Sequence, residues 1–276
     1  MDVATVAHSA VEGQTQLRAI LQEMPRIAVA FSGGVDSSYL LAEALRPRSS
    51  QVVAVTGTSS SLSDHAAKRA SRVAHALGAS HLLIPTHELD DPRYVANGLD
   101  RCFFCKGELF RQMKGHPELR QHAIIDGFNH SDHQEHRPGH AAAKEAGVRS
   151  PLAEAGLTKP MIRKLSAQLG LETASIPASP CLASRIQPEL PVTKNRLFAI
   201  ENAEVALMDL GFTDFRVRYT ADGARIEVCA AEQHLLENPE TRRTIESSVV
   251  AAGFKTAHID SRPLASGSMV RDHKAR

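Results

Sequence analysis

The stretch RIAVAFSGGVDSS, residues 26–38, decides the fold class. Residues 26–31 are almost all apolar and predict a buried strand, which Ser32-Gly33-Gly34 ends before a helix over residues 36–45. Glycines let the backbone approach a ligand, serines offer hydroxyl groups, and the N–H groups at a helix start attract an anion. We therefore predict a phosphate-binding loop made of Ser32, Gly33, Gly34, Val35, Asp36, Ser37 and Ser38. The alternative is a plain strand-to-helix turn with a capping aspartate.

Strands and helices alternate around this loop. Apolar runs at residues 51–56, 81–85 and 122–126 predict three more strands, and helical spacing of apolar residues predicts helices near 9–24 and 63–77. Nearly continuous apolar strands that alternate with helices are typical of an α/β fold with a parallel, doubly wound sheet. Such folds bind phosphates where the first strand turns into its helix.

A smaller α+β domain is predicted to follow. The segment 175–191 is rich in proline and serine and reads as an irregular connector. Beyond it, the pattern predicts a helix, a hairpin, a second helix and a last strand. Their predicted bounds are 193–210, 215–220, 224–229, 231–252 and 257–261. We place the domain boundary between residues 1–185 and 186–276.

The composition excludes several classes of protein. The 276 residues carry 32 basic and 31 acidic side chains, so a strong, sequence-independent affinity for nucleic acid is not expected. Tryptophan is absent and aromatic residues make up 4%, which provides little for base stacking. No apolar run reaches the roughly 20 residues that span a bilayer, and the first residues lack the pattern of a secretion signal. We expect a cytoplasmic protein without membrane contact.

The loop resembles the PP-loop signature of the ATP pyrophosphatases, because residues 32–38 read SGGVDSS and no G-x-x-x-x-G-K-[ST] motif is present. The resemblance implies that the loop grips the β,γ-pyrophosphate of ATP while a substrate nucleophile attacks the α-phosphorus. It also implies that Asp36 helps to hold Mg²⁺. Members of this superfamily activate different acceptors, so the motif alone does not specify the substrate.

Six further stretches narrow the choice of acceptor. Together they resemble the sulfur transferase family of nickel-pincer nucleotide biosynthesis (LarE), over residues 15–270. The stretches are RCFFCK (101–106), DGFN (126–129) with HRPG (136–139), SPCLASR (179–185), FRVR (215–218) and ARIE (224–227). The resemblance implies that ATP adenylates a carboxylate of pyridinium-3,5-biscarboxylic acid mononucleotide and that sulfur then replaces the activated oxygen. It further implies a homo-oligomer with subunit contacts in the small domain.

Candidate binding residues follow from the same comparison. We expect Gly127 to lie near the adenosine and Arg149 to approach the phosphates or the substrate. Arg216 and Arg218 alternate along one strand, so their side chains share a face and suit a substrate phosphate. Glu204 on the preceding helix and Arg185 are assigned to the same substrate site. The alternative for Arg216 and Arg218 is that they are ordinary exposed strand arginines.

The cysteines leave two routes for sulfur open. In the family, one sacrificial cysteine gives up its own sulfur, but aligning Ser184-Arg185 places that position at Pro180, one residue before Cys181. Cys102, Cys105 and Cys181 instead suit a [4Fe–4S] cluster with one iron left without a protein ligand. We favour the cluster and keep sacrificial use of Cys181 as the alternative. Cys229 is expected to be a small buried hydrophobe.

A zinc site is a further alternative for the Cys102–Cys105 pair, with a fourth ligand from His130, His133, His136 or His140. For the histidine-rich segment 130–140 itself we favour a solvated polar loop.

Three other functions compete with sulfur transfer to a small nucleotide. A tRNA thiolase would share the ATP loop and the cluster. An amidotransferase-type synthetase would use ammonia and leave the three cysteines unexplained. A nucleotide sensor would bind ATP without turnover.

Overall fold

The structure, a computed structural model, divides the chain into two compact units. It describes residues 9–46, 51–134, 137–265, 267–269 and 271. The first unit contains the residues up to Ser59, Asp64–Thr86 and Cys102–Ser179. The second unit contains Ser60–Ser63, His87–Arg101 and Pro180–Arg276.

A parallel sheet forms the centre of the first unit. Its strands are β1 (Ile27–Ala30), β2 (Val52–Thr58), β3 (Ser80–Pro85) and β4 (Ala123–Ile125), in the order β3-β2-β1-β4. All four side chains of the inner strand β1 are buried. The α/β fold with a parallel sheet is confirmed.

Helices cover both faces of this sheet. In chain order the helices of the protein are α1 (Ala10–Gln22), α2 (Val35–Leu45), α3 (Asp64–Ala76), α4 (Pro92–Val95), α5 (Arg101–Gly115), α6 (Pro138–Glu145), α7 (Pro151–Glu154), α8 (Lys159–Gln168), α9 (Lys194–Asp209) and α10 (Pro239–Ala251). Ile27 and Val29 of β1 pack with apolar residues of α1, α2 and α8. Ala28 and Ala30 face the other way, toward Phe110 of α5. The alternation along β1 thus places one core on each face.

The second unit contains a smaller sheet, made of β5 (Phe215–Thr220), β6 (Gly223–Val228) and β7 (Ala257–Ile259). β5 and β6 form the predicted antiparallel hairpin, and β7 pairs with β6 in parallel. Gly223 has φ +136°, and a Cβ there would lie 2.1 Å from Oγ1 of Thr256. The turn therefore requires glycine at this position.

One predicted helix is wrong in its first part. Residues 231–252 do not form a continuous helix, because a 3-10 segment, Ala230–Leu236, precedes α10. Asn238 accepts a hydrogen bond from the N–H of Glu240 at 2.8 Å and caps α10, whose first residue is Pro239. Proline lacks the N–H that a continuing helix would need, whereas a helix start tolerates it.

The segment around α4 belongs to the second unit because its backbone bonds to residues 187–192. Asn97 is buried, and its side-chain amide donates to the carbonyls of Gln187 and Leu190 at 2.8 and 2.9 Å. The N–H of Val192 donates to the carbonyl of Val95 at 2.8 Å. The structure also places residues 180–185 in the second unit, whereas the sequence analysis assigned them to the first domain.

Within the ranges that the structure describes, no helix combines the length and the apolar character needed to cross a membrane.

Candidate functional site

The loop between β1 and α2 has the backbone of an anion-binding turn. Gly33 has φ +65°, and a Cβ there would lie 2.8 Å from Cα of Ala70 in α3, so both conformation and space require glycine. Gly34 is the N-cap of α2, and no described side chain caps this helix end. The N–H groups of its first turn therefore remain for a ligand.

Serine hydroxyls hold the loop closed on itself. Oγ of Ser32 and Oγ of Ser37 lie 3.3 Å apart, and the Ser37 hydroxyl donates to the carbonyl of Gly34 at 3.2 Å. Ser38 differs, since it is fully buried and its Oγ has no hydrogen-bond partner among the described residues. The side chain of Val35 is also buried, which leaves its backbone N–H as the group it can offer.

Asp36 lies in the first turn of α2 and faces a lysine. Nζ of Lys159, the first residue of α8, donates to one carboxylate oxygen, and Nδ2 of Asn129 donates to the other at 3.3 Å. Burial raises the pKa of Asp36 above its ordinary value, and Lys159 opposes this rise. The carboxylate is an oxygen ligand of the kind that Mg²⁺ prefers, and Lys159 holds it by its counter-charge.

Gly127 follows β4 and approaches the start of α2. A Cβ at this position would lie 3.1 Å from the backbone nitrogen of Ser37 and 3.4 Å from Cβ of Asp36. The structure therefore brings Gly127 to the phosphate loop. The adjacent Asp126 accepts a hydrogen bond from the hydroxyl of Ser150 at 2.7 Å, which orders this strand end.

Arg149 is held by two carboxylates. Its guanidinium contacts Glu154 at 2.6 Å and Glu23 at 3.0 Å. The hydrogen bond to Glu154 first, and then that to Glu23, raises the pKa of Arg149. An approach of this side chain to a phosphate would require at least one carboxylate to give way.

Cys102 and Cys105 share one face of α5, because they are three residues apart near its start. Cys102 is exposed and Cys105 is partly buried. None of the four cysteines, all of which the structure describes, forms a disulfide. The face thus presents two thiols at the spacing of metal ligands.

Cys181 belongs to the second unit, where its main chain is fixed and its side chain is exposed. Its carbonyl accepts hydrogen bonds from the Ser184 hydroxyl at 2.7 Å and from Nη1 of Arg185 at 3.1 Å. Arg185 also donates to the carbonyl of Pro180. Oγ of Ser184 and the guanidinium of Arg185 therefore fix the main chain at Cys181.

Glu204 on α9 holds Arg185 in place. The carboxylate accepts from Nε at 2.9 Å and Nη2 at 3.1 Å, and it also accepts the N–H of Val217 in β5 at 3.2 Å. Both side chains of the pair are largely buried. The predicted residues Arg185 and Glu204 are thus brought together as a buried ion pair that supports the Cys181 segment.

The two strand arginines differ in their partners. Arg218 is buried and donates from Nε and Nη2 to Glu227 at 3.0 and 2.9 Å, and its Nη1 reaches the carbonyl of Ser184 at 3.3 Å. Arg216 lies 3.5 Å from Asp214. Burial lowers the pKa of both arginines, and the charge of Arg185 acts in the same direction. The second unit therefore joins Arg218 to the segment that carries Cys181.

The histidine-rich segment forms a cluster of rings. Phe128 stacks on His140 with ring centroids 3.7 Å apart, and His133 meets both rings edge-on. His130 and His133 are exposed, and His136 lies outside the described residues. Among the residues that are described, no three His, Cys, Asp or Glu side chains are grouped so that they could hold a metal ion.

Comparisons with known proteins identify the family. No protein-family model matches the chain. An uncharacterised protein of Synechocystis is 39% identical over 213 residues, which cover 77% of this chain and 80% of that protein. A second uncharacterised relative, from Methanocaldococcus jannaschii, is 25% identical over 204 residues. The pyridinium-3,5-bisthiocarboxylic acid mononucleotide synthase of Lactiplantibacillus plantarum is 32% identical over 257 residues, 92% of each chain. The chain belongs to the LarE family.

LarE membership confirms the resemblance drawn from the motifs. The roles assigned to single side chains stay predictions. The geometry groups Asp36 and Gly127 with the phosphate loop in the first unit, and it groups Arg185, Glu204 and Arg218 beside Cys181 in the second.

Three residues that contact the predicted site residues were not predicted from the sequence. Asn129 and Lys159 contact Asp36, and Glu227 pairs with Arg218. The observed register of the hairpin places Glu227 opposite Arg216 and so on the same strand face as Arg218, a register that the sequence did not specify. No local signal exists for Lys159, which lies 123 positions from Asp36 in the chain.

Proposed function

We propose that this LarE family member is an ATP-dependent sulfur transferase that converts the carboxylates of pyridinium-3,5-biscarboxylic acid mononucleotide into thiocarboxylates. The observation that carries the proposal is the 32% identity, across 92% of both chains, to a relative named for the bisthiocarboxylic product. Because this relative is named for a mononucleotide product, the similarity also favours a small nucleotide over tRNA as the acceptor of sulfur.

The chemistry needs activation because a carboxylate is a poor electrophile. Attack of a carboxylate oxygen on the α-phosphorus of ATP would form an acyl adenylate and release pyrophosphate. A sulfur nucleophile would then add to the acyl carbon, and AMP would leave with the oxygen that linked it. Each carboxylate would consume one ATP and one sulfur atom.

The phosphate loop supports the first half of this reaction. The first-turn N–H groups of α2 and the hydroxyls of Ser32 and Ser37 suit the oxygens of the departing pyrophosphate. Asp36 would bind Mg²⁺ once the ion replaces Lys159 as its counter-charge. When bound, Mg²⁺ would neutralise charge on the leaving group. The released Lys159 ammonium would remain beside the same phosphates.

For the second half we propose Cys102, Cys105 and Cys181 as ligands of a [4Fe–4S] cluster. The support for this proposal is chemical: the three cysteines are free thiols, and two of them, Cys102 and Cys105, share one face of α5 at the spacing of metal ligands. When bound, a cluster with one iron lacking a protein ligand supplies a site for an exchangeable sulfide. Two hydrogen bonds to the Cys181 carbonyl, from Ser184 and Arg185, order the backbone that carries this thiol.

If Cys181 were instead the sacrificial sulfur donor, the protein itself would be changed by the reaction. Loss of the cysteine sulfur would leave dehydroalanine at position 181 and a chain lighter by one hydrogen sulfide. Intact-protein mass spectrometry after one ATP-driven turnover separates the two routes. Dehydroalanine at this position, with Cys102 and Cys105 dispensable, would refute the cluster route.

The second unit is proposed to hold the phosphate of the substrate and to join identical chains. Arg216 and Arg218 share a strand face, and an arginine binds a phosphate as a rigid fork. Phe198 and Val205 of α9 are exposed apolar residues seven positions apart, so they share a helix face suited to a second copy. Light scattering of the purified chain would show a mass above 29.9 kDa if copies assemble.

Pyrophosphate release tests the proposed reaction. The rate would be measured under anaerobic conditions with ATP and Mg²⁺ alone, with the pyridinium dicarboxylate nucleotide, and with unmodified tRNA. We expect release to depend on the nucleotide and the thiocarboxylate to appear when sulfide is supplied. Release that depends on tRNA would favour the thiolase instead, and ATP binding without release in any mixture would favour a sensor.

A further inference from the structure

Arg69 of α3 is a buried cation for which the described residues supply no ion pair. The residue is only 7% exposed, and its Nε has no hydrogen-bond partner in the described part of the chain. Burial and the charge of Arg72 both lower the pKa of Arg69. Burial of an unpaired charge costs free energy, so an arginine in this state calls for an anion that is not part of the protein.

The other buried arginines have carboxylate partners. Arg185 is 3% exposed and pairs with Glu204, and Arg218 is 6% exposed and pairs with Glu227. Arg69 is buried to a similar extent, but no described carboxylate forms an ion pair with it. Arg72, three residues further along α3, is mostly exposed and nevertheless pairs with Glu172 at 3.1 Å.

The backbone of α3 next to Arg69 lies against the phosphate loop. A Cβ on Gly33 would lie 2.8 Å from Cα and 3.0 Å from the backbone nitrogen of Ala70, so the peptide bond between Arg69 and Ala70 packs on the loop. Arg69 also lies on the buried face of α3, with Ala66, Ala70 and Val73. The helical spacing A-x-x-R-A-x-x-V thus puts a cation where the apolar pattern would put another small residue.

We propose that Arg69 is an anion-binding residue of the nucleotide site, where its guanidinium binds a phosphate oxygen of the pyrophosphate portion of ATP. The inference rests on the proposed function, since that function places a triphosphate on the loop. The nucleotide site would then combine three kinds of group: the N–H groups at the start of α2, the carboxylate of Asp36 and the guanidinium of Arg69. The ligand completes the charge pairing that the protein leaves open at this position.

Calorimetric titration with inorganic pyrophosphate and with ATP, each with Mg²⁺, tests the assignment on the full chain. Arg69→Met removes the charge and keeps an apolar side chain of useful length. Its affinity for both ligands should fall about ten- to a hundredfold, the range for one hydrogen bond to a charged group. Arg72→Met is the matched control on the same helix and should bind as the wild type does, because Arg72 already has Glu172.

The melting temperature without ligand gives a second readout. Arg69→Met should melt at or above the wild-type temperature, because it removes an unpaired buried charge, and pyrophosphate should raise its melting temperature less than that of the wild type. If this variant does not fold, Arg69→Gln replaces it with the same expected loss of affinity. Unchanged affinity in a folded Arg69 variant would overturn the inference while leaving the proposed function intact. A wild-type chain that binds neither ligand would overturn both.

Discussion

Replacing Glu204 by alanine should destabilise the protein by about 3–5 kcal/mol, the cost of removing one partner from a buried ion pair. Arg185 donates twice to this carboxylate, at 2.9 and 3.1 Å, and is too deeply buried to turn into water. Without Glu204 its guanidinium keeps only uncharged acceptors, among them the carbonyls of Pro180 and Cys181. The N–H of Val217 loses its acceptor as well.

Urea unfolding followed by far-UV circular dichroism measures this loss. Glu172→Ala is the matched control, because it removes the exposed partner of Arg72 and should cost less than about 1 kcal/mol. The double variant Arg185→Met with Glu204→Met should regain part of the loss, since no charge then remains buried. A cost for Glu204→Ala no greater than that for Glu172→Ala would refute the reasoning.

The same substitution should separate the two halves of the reaction. Arg185 fixes the carbonyl of Cys181, so loss of Glu204 should loosen the segment that presents the thiol. Thiocarboxylate formation, measured by mass spectrometry of the product, should therefore fall more than pyrophosphate release does. Equal losses in both rates would contradict a role for the pair in placing Cys181.

Four further outcomes are expected. Asp36→Asn should abolish Mg²⁺-dependent pyrophosphate release, with a change of at most about 1 kcal/mol in the free energy of unfolding. Because the pKa of Asp36 is raised above 3.8 in the folded state, wild type should gain stability relative to Asp36→Asn as the pH falls through that raised pKa, as pH-dependent urea midpoints would show. Gly33→Ala should cost at least about 1–2 kcal/mol for its left-handed φ and should prevent ATP binding by calorimetry. Cys102→Ser and Cys181→Ser should each lose iron and sulfide after anaerobic reconstitution, whereas Cys229→Ser should retain them.

The fold was largely predictable because its two inner strands, β1 and β2, are largely buried on both faces. Residues 26–31 and 51–56 read as continuous apolar runs, and the structure has strands there, at Ile27–Ala30 and Val52–Thr58. Helix α5 was not predicted. It carries only two buried residues, Phe110 and Met113, so its apolar residues are too few to show a helical period in the sequence. Local sequence predicts an element well where burial is periodic and poorly where one or two contacts hold it.

The candidate site was predictable only where its chemistry is local. The turn from Ser32 to Ser38 carries its own glycines, hydroxyls and helix start, so the sequence alone indicates an anion site. The ion pair between Arg149 and Glu23 could not be predicted from local sequence, because the two residues lie 126 positions apart in the chain. A side chain's availability depends on such distant partners, which only the folded chain brings into contact.

Charge pairing therefore distinguishes the arginines that already have a carboxylate partner from Arg69, which has none among the described residues. Arg185 and Arg218 are buried against carboxylates, and Arg149 is held by two. Each must give up part of an existing pair before it can bind a phosphate fully. Arg69 has no such pair to break, although no motif marks it. A phosphate gains more binding free energy from a guanidinium that has no carboxylate partner, because no existing ion pair must be broken. We therefore expect Arg69, rather than Arg149, to bind a phosphate of the nucleotide.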